Sequence, residues 1–509
     1  MTTGAIATDP AKPNEAFSAA LDAKLFSPDG TAEIEKTERG ALAEFYQSRQ
    51  GQPLWTADGA LTSKAIALIA EIGRANDYGL EAAGFDVPAR PSEGAAAQAL
   101  SAGAAADAEA AISLAVLKYA RYARGGRILE PSESLNSNLD RKPQLIEPKI
   151  VLEEISKSEA PDAYLKTLHP KHPQFEKLRQ AFLAASKSDD ARARGKGQKI
   201  TGLSPLARKL RANMEEWRWM PADMGPLHVF NNIPEFMQYV YKDGEIIRSE
   251  KIVAGLVDKP SSIFSRPLKH VVLRPMWRVP ESIKVNELWP SLLKGGGLMR
   301  EYGLELQSKE GKALDYRQID WSHADIRNYE VIQPPGGKSV LGFVKFSFPS
   351  QHTIYMHDTP DKWMFRPAQR TLSHGCLRVK NPLELAEIIL KEDKGWDKAK
   401  VAELIRSGPL NNEVAMEKRI PIHLAYFTAW VDNTGKLKTF ADVYGHEKRI
   451  TLALEGRWKE INKGRDHLAP VQPNFDPAQP PAPRTSRLRL RPQQTVSDFI
   501  GNAFGGIGF

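Results

Sequence analysis

Two short segments gather the side chains best suited to chemistry: Ile354-Tyr355-Met356-His357-Asp358-Thr359-Pro360 and Leu372-Ser373-His374-Gly375-Cys376-Leu377-Arg378-Val379. Cys376 is the single cysteine of the 509-residue chain, so it has no disulfide partner within the chain. It is either a small buried hydrophobe or a reactive thiol. Its flanks are His, Gly and Arg, not an apolar run, which favours reactivity. A thiol attacks as its thiolate, and a free pKa of about 8.5 leaves little of that form at neutral pH. A neighbouring imidazole can take the proton. His357 ends a predicted strand and Cys376 sits in a turn before a predicted helix, so the loop between them can bring the two together. Gly375 lets backbone approach a substrate closely, and amides around Cys376 are candidate oxyanion donors. His374 is either a turn residue or a support for the site. Arg378 is either a structural ion-pair partner or a bidentate clamp for a substrate carboxylate. Asp358 is adjacent to the base, but successive strand side chains point to opposite faces, so it is not read as a triad acid.

A second chemistry uses the same residue types. His352, His357, His374 and Cys376 are possible zinc ligands, which would make the protein a zinc-dependent peptidase. However, structural zinc favours several cysteines, and neither HExxH nor CxxC occurs. We therefore expect no metal and no organic cofactor. The formal net charge is +8, part of it in the run Arg484–Arg491. With no zinc-finger spacing, RNP signature or helix-turn-helix pattern, nucleic acid is not the expected partner. An acidic glycopeptide polymer suits a mild positive charge equally well. No stretch is apolar enough for a transmembrane helix. The first residues lack the charged and apolar regions of a signal peptide.

These residues need elements to hold them, and the chain changes character along its length. Residues 1–32 are polar and rich in Pro, Ala and Gly, and are expected to be disordered. Residues 33–186 read as a helical domain, with amphipathic stretches such as Ser63–Asn76 and an Ala-rich helix between Ala95 and Tyr122 that carries Asp107 and Glu109. Residues 187–204, charged and Gly-bearing, read as a linker. Residues 205–460 form the catalytic domain. It starts with a short helix at Leu206–Trp217 and continues as β-type runs, with Lys242-Asp243-Gly244 as a hairpin signal. A polar excursion over 281–330 is expected to form a lid. Asn381 and Pro382 are placed to start a helix. Residues 461–509, basic and Pro-rich, are expected to be disordered. The fold class is α+β: a helical domain, then a mostly β catalytic domain with a lid.

The signature Ser373-His374-Gly375-Cys376-Leu377-Arg378, preceded by Ile354–Pro360, resembles that of the YkuD-type L,D-transpeptidases. Phe230–Pro234, Trp277–Pro280, Ile319–Trp321 and Ser339–Phe346 are similar to landmarks of the larger YcbB-like branch. Gln52–Trp55 and Asp77–Leu80 are similar to its scaffold domain. The likeness covers roughly residues 34–460. It implies Cys376 as nucleophile, His357 as general base, and Tyr355, Ser373, His374, Gly375 and Arg378 as residues lining the site. It also implies that a backbone carbonyl orients the imidazole and that the excursion caps the site. The implied substrate is a peptidoglycan stem tetrapeptide, and the implied location is the periplasm. The acceptor stays open: a second stem amine (a 3→3 crosslink), an outer-envelope protein amine, a D-amino acid or water. Residues 184–204 are too short for the branch's peptidoglycan-binding module. A non-catalytic wall-binding scaffold is the remaining alternative to an enzyme.

Overall fold

The computed structural model describes residues 15–25, 33–89, 100–195, 202–337 and 339–473. Its N-terminal part is helical. Helices Glu33–Ser48, Ser63–Ile72, Ala102–Gly125, Pro148–Lys157 and Pro161–Thr167 enclose one apolar core that includes Leu42, Trp55, Leu68, Ile112, Val116 and Leu152. The Ala-rich helix starts at Ser101, whose hydroxyl accepts from the Ala104 amide, and its small side chains let neighbouring helices approach. Glu109 on this helix is fully buried. It accepts from the Leu54, Trp55 and Thr56 amides and from the Tyr46 hydroxyl. The buried carboxylate is thus compensated by charge-assisted bonds, and it clamps the Leu54–Thr56 turn to the core.

Three expectations about order change. Residues 15–25 form a helix with Leu21 and Leu25 buried in the same core, so the N-terminal segment is not uniformly disordered. Residues 1–14 and 26–32 lie outside the described residues. Helix Pro173–Gly195 runs through the first part of the expected linker, because Ala, Lys and Arg sustain a helix that charge alone does not end. At the C-terminus, residues 461–473 pack against the protein. The Asn136 side chain donates to the Lys463 carbonyl, and His467 bonds both Ser137 and His352. Residues 474–509 lie outside the described residues.

The domain that follows is built on an 11-stranded sheet. Its strands are β1 (Leu227–Asn232), β2 (Met237–Lys242), β3 (Glu245–Gly255), β4 (Ser265–Pro267), β5 (His270–Leu273), β6 (Val344–Ser347), β7 (Met356–His357), β8 (Thr371–Ser373), β9 (Leu377–Val379), β10 (Asn412–Ala415) and β11 (Pro421–Ala425). The order is β10-β5-β6-β7-β9-β3-β2-β1-β11-β4, with β8 paired to the end of β3. The predicted hairpin joins β2 to β3: Lys242 pairs with Glu245, and Asp243 and Gly244 both take positive φ, 51° and 88°. This is the backbone of a two-residue primed turn. Inward residues Val344, Phe346, Met356, Leu377 and Val379 belong to the main core. The helix after β9 runs from Pro382 to Lys394. Asn381 precedes it as expected, but in the left-handed region, and its side chain donates to Glu250 and does not cap.

The excursion is wider than 281–330. It has its own core, from Trp277 to Leu341, and its own four-stranded sheet, which recruits Trp277–Arg278 and Glu330–Gln333 at its stem. The two domains meet at helix Pro205–Arg218, where Glu215 accepts from the Ile128 amide and pairs with buried Arg218. The Arg141 side chain also reaches across, to the Leu424 carbonyl.

Candidate active site

Register brings the two chemical segments together. β7 pairs in parallel with β9, Met356 opposite Leu377 and His357 opposite Arg378. The Leu377 amide donates to the Tyr355 carbonyl, which extends the pairing by one residue. With Met356, Leu377 and Val379 in the core, alternation turns Tyr355, His357, Cys376 and Arg378 to the other face. β6 adds Lys345, directly opposite His357. Cys376 and His357 are therefore diagonal neighbours on one face of two adjacent strands.

The turn that carries Cys376 is held on both sides. Gly375 has φ +108°, a conformation open to glycine. Its carbonyl accepts from the Ser261 hydroxyl at 2.6 Å, and that same hydroxyl accepts from the Gly255 amide at 3.0 Å. Gly255 is obligatory for a different reason: a Cβ there would lie 2.1 Å from the Lys259 carbonyl oxygen and 2.9 Å from Gly375 Cα. Tyr444 closes the arrangement by donating to the Gly255 carbonyl. Ser373, expected to line the site, is buried beneath the turn, where its hydroxyl donates to the Cys376 carbonyl at 2.6 Å. From there it supports the turn. The Cys376 amide has no acceptor among the described residues, so it is available to an oxyanion.

His357 is buried, and its Nδ1 bonds the Asp358 backbone carbonyl. That bond places the proton on Nδ1 and leaves the Nε2 lone pair free to accept one, the tautomer a general base needs. The Asp358 carboxylate turns away, as alternation predicts, and accepts from the Phe343 and Thr359 amides. Burial, followed by the charge of Arg378, holds the imidazole down at about 3. Burial raises the Cys376 thiol; the Tyr355 amide and phenol and the charges of Lys345 and Arg378 pull it back in part. At rest both partners are neutral. Cys376 as a residue is partly exposed.

Arg378 is buried and pairs with Asp361 at 2.9 Å, with a second bond to the Thr359 hydroxyl. Of its two readings, the structure realises the ion pair. His374 turns toward the cap, where its Nε2 meets Glu287 at 3.2 Å. Lys259 pairs with the same carboxylate at 3.0 Å. Glu287 lies in a π-helical turn, Lys284–Leu288, a distortion often found at functional sites. Tyr355 packs against the cap's core, the cluster that includes Trp277 at its stem. The four candidate zinc ligands do not converge. His352 sits between Asp140 and His467 at the domain junction, and among the described residues no set of three His, Cys, Asp or Glu is arranged for a metal.

Residues 226–401 match the profile of the YkuD L,D-transpeptidase catalytic domain. That part of the chain carries the YkuD L,D-transpeptidase catalytic domain. Residues 40–182 match the Scaffold domain. A Haemophilus influenzae protein, provisionally named an L,D-transpeptidase, is 30% identical over 262 residues, covering 51% of this chain and 52% of that one. The chain thus spans about half the length of the curated relative it matches. Among solved structures, the Ldtfm–avibactam carbamoyl enzyme is 10% identical, with 40% of this chain and 51% of that chain covered and a TM-score of 0.18. An L,D-transpeptidase from Mycobacterium smegmatis is 13% identical, with 39% and 58% covered and a TM-score of 0.17. Those superpositions are too loose to define shared geometry.

In this L,D-transpeptidase domain, sequence reasoning missed Ser261, Gly255, Lys345 and Glu287. Only Lys345 left a signal, as a cation alternating with apolar residues in a predicted strand. Ser261→Ala leaves the Gly375 carbonyl and the Gly255 amide unpaired in a buried setting, at about 1–3 kcal/mol. We expect a Tm several degrees lower and acylation by a carbapenem slowed about tenfold, read by thermal melting and stopped-flow fluorescence. Acylation at the wild-type rate despite the lower Tm would refute a role for Ser261 in holding the nucleophile.

Proposed function

We propose that this chain is a peptidoglycan L,D-transpeptidase that works through a thioester on Cys376. The observation that carries this reading is a partly exposed cysteine on a pinned turn, sharing a sheet face with an imidazole whose Nδ1 is committed to a backbone carbonyl. The thiol attacks the carbonyl of the third stem residue, meso-diaminopimelate, of a tetrapeptide donor, and passes its proton to His357 Nε2. The Cys376 amide receives the developing oxyanion. The C–N bond to the terminal D-Ala breaks, and the imidazolium returns the proton to the departing amine. An acceptor amine then attacks the thioester, His357 again serves as base, and a new amide forms with release of the thiol.

The cap fits aminolysis. By closing over Tyr355 and bonding His374 through Glu287, it keeps bulk water from the thioester. The acceptor is a second stem amine, giving a 3→3 crosslink, or the amine of an envelope protein. The work is done in the periplasm. Among the described residues no helix is long and apolar enough to cross a membrane.

The test is incubation of the reduced protein with a disaccharide tetrapeptide, followed by mass spectrometry. We expect free D-Ala, a protein adduct equal to the donor minus D-Ala, and crosslinked dimer when a second stem is supplied. Neither D-Ala release nor a carbapenem adduct on folded protein would end this reading and turn attention to simple wall binding.

A further inference from the structure

Among the described residues, the face that presents Cys376 carries two cations, and only one is paired with a carboxylate. Arg378 is neutralised by Asp361. Nearby Lys259 and Lys362 are likewise taken up, by Glu287 and Asp358. Lys345 is different. It stands opposite His357 on β6, and its ammonium lies 4.4 Å from the centroid of the Tyr355 ring. Its charge is felt at the thiol. It is half-buried, and among the described residues no carboxylate bonds it; its electrostatic neighbours are Cys376, Glu413 and Arg278. A partly desolvated ammonium without an anion is costly, and a ligand that brings the anion removes that cost.

The position of the thiol says which anion this is. At attack the scissile carbonyl carbon sits about 3–3.5 Å from Sγ. In a tetrapeptide the leaving residue's free carboxylate follows one amide nitrogen and one Cα later, roughly the 3.8 Å spacing of one residue. A cation flanking the thiol reaches that distance. The carboxylate at the far end of a diaminopimelate side chain lies several bonds further away. An added residue or a C-terminal amide removes the charge from this place. We propose that Lys345 binds the C-terminal carboxylate of the donor's leaving residue, and so selects stems that end one residue beyond the scissile bond. The inference rests on the L,D-transpeptidase reading above. It makes Lys345 a specificity residue of the donor site, while the neutral Cys376–His357 pair does the chemistry.

The test compares a tetrapeptide with its C-terminal carboxamide, measuring kcat and KM for release of the leaving residue by the full chain. A charge-assisted bond corresponds to about a 10–100-fold preference for the acid. Because the carboxylate is held alike before and during reaction, the preference should lie mainly in KM. In Lys345→Gln the acid-over-amide ratio should fall close to one, and in Lys345→Arg, which keeps the charge, most of it should remain. A ratio unchanged in Lys345→Gln would overturn the assignment. So would a loss shared equally by both donors together with slower thiol alkylation at neutral pH, since Lys345 would then be serving the thiolate. A wild type that turns over both donors equally removes the role of Lys345 and leaves the transpeptidase reading standing. A wild type that releases nothing from either donor brings down both.

Discussion

Cys376→Ala should abolish acyl transfer, by about 10⁶-fold in line with the loss of a nucleophile in other acyl-transfer enzymes, and leave the protein folded. The two halves of this expectation have separate physical grounds. The sulfur is a single atom on a partly exposed residue, so its removal opens little buried space, and the melting temperature should move by no more than a few degrees. The turn that carries it is set by backbone groups: the Gly375 and Cys376 carbonyls accept from Ser261 and Ser373, neither of which needs the sulfur. What disappears is the atom proposed to form the thioester. Cys376→Ser should be nearly as inactive. An imidazole held down at about 3 is a weak base, and a hydroxyl gives up its proton far less readily than a thiol. The checks are D-Ala release from a tetrapeptide, the intact mass after a carbapenem, and a melting curve. Retained transfer by a folded Cys376→Ala protein would sink the thioester mechanism.

Residues joined by local rules were legible in the sequence. The Asp243-Gly244 hairpin, the helix after Pro382 and the turning of the Asp358 carboxylate away from the His357 face all follow from spacing of a few residues. What stayed hidden depends on register and on contacts between distant segments. Lys345 becomes a neighbour of His357 only when β6 pairs with β7 in one register. Ser261 holds the nucleophile's turn across more than a hundred residues of chain. From the sequence, Ser373 enters as a residue lining the site, and Arg378 is open between an ion pair and a substrate clamp. Their burial, set by β8 lying against β3 and by Asp361, turns them into supports. Composition misled at the ends. The polar stretch before residue 33 holds a helix whose Leu21 and Leu25 find the scaffold core, and the basic tail begins with a packed segment anchored through His467.

His357 supplies the second large effect, and its pH dependence distinguishes it from a merely structural histidine. His357→Gln should slow acylation by about 10²–10⁴-fold at pH 7, the usual contribution of a general base. To act as base the imidazole must be neutral. Burial and Arg378 hold its pKa near 3, so it is neutral throughout the working range. The wild-type rate should therefore show no acid limb between about pH 5 and 7, where an unperturbed histidine would impose one. The thiol is shifted the other way, upward by burial, so its thiolate at neutral pH is scarcer than that of a free cysteine. Without the base, only preformed thiolate reacts, and that population grows about tenfold per pH unit below the thiol's pKa. The His357→Gln rate should rise with unit slope on a logarithmic scale while the wild type stays flat, so the gap between them closes as pH increases. Stopped-flow acylation by a carbapenem from pH 5 to 9 reads both profiles. An acid limb near pH 6–7 in the wild type would mean that Cys376 and His357 rest as an ion pair or that the imidazole is not desolvated. Parallel profiles for the two proteins would mean that His357 moves no proton.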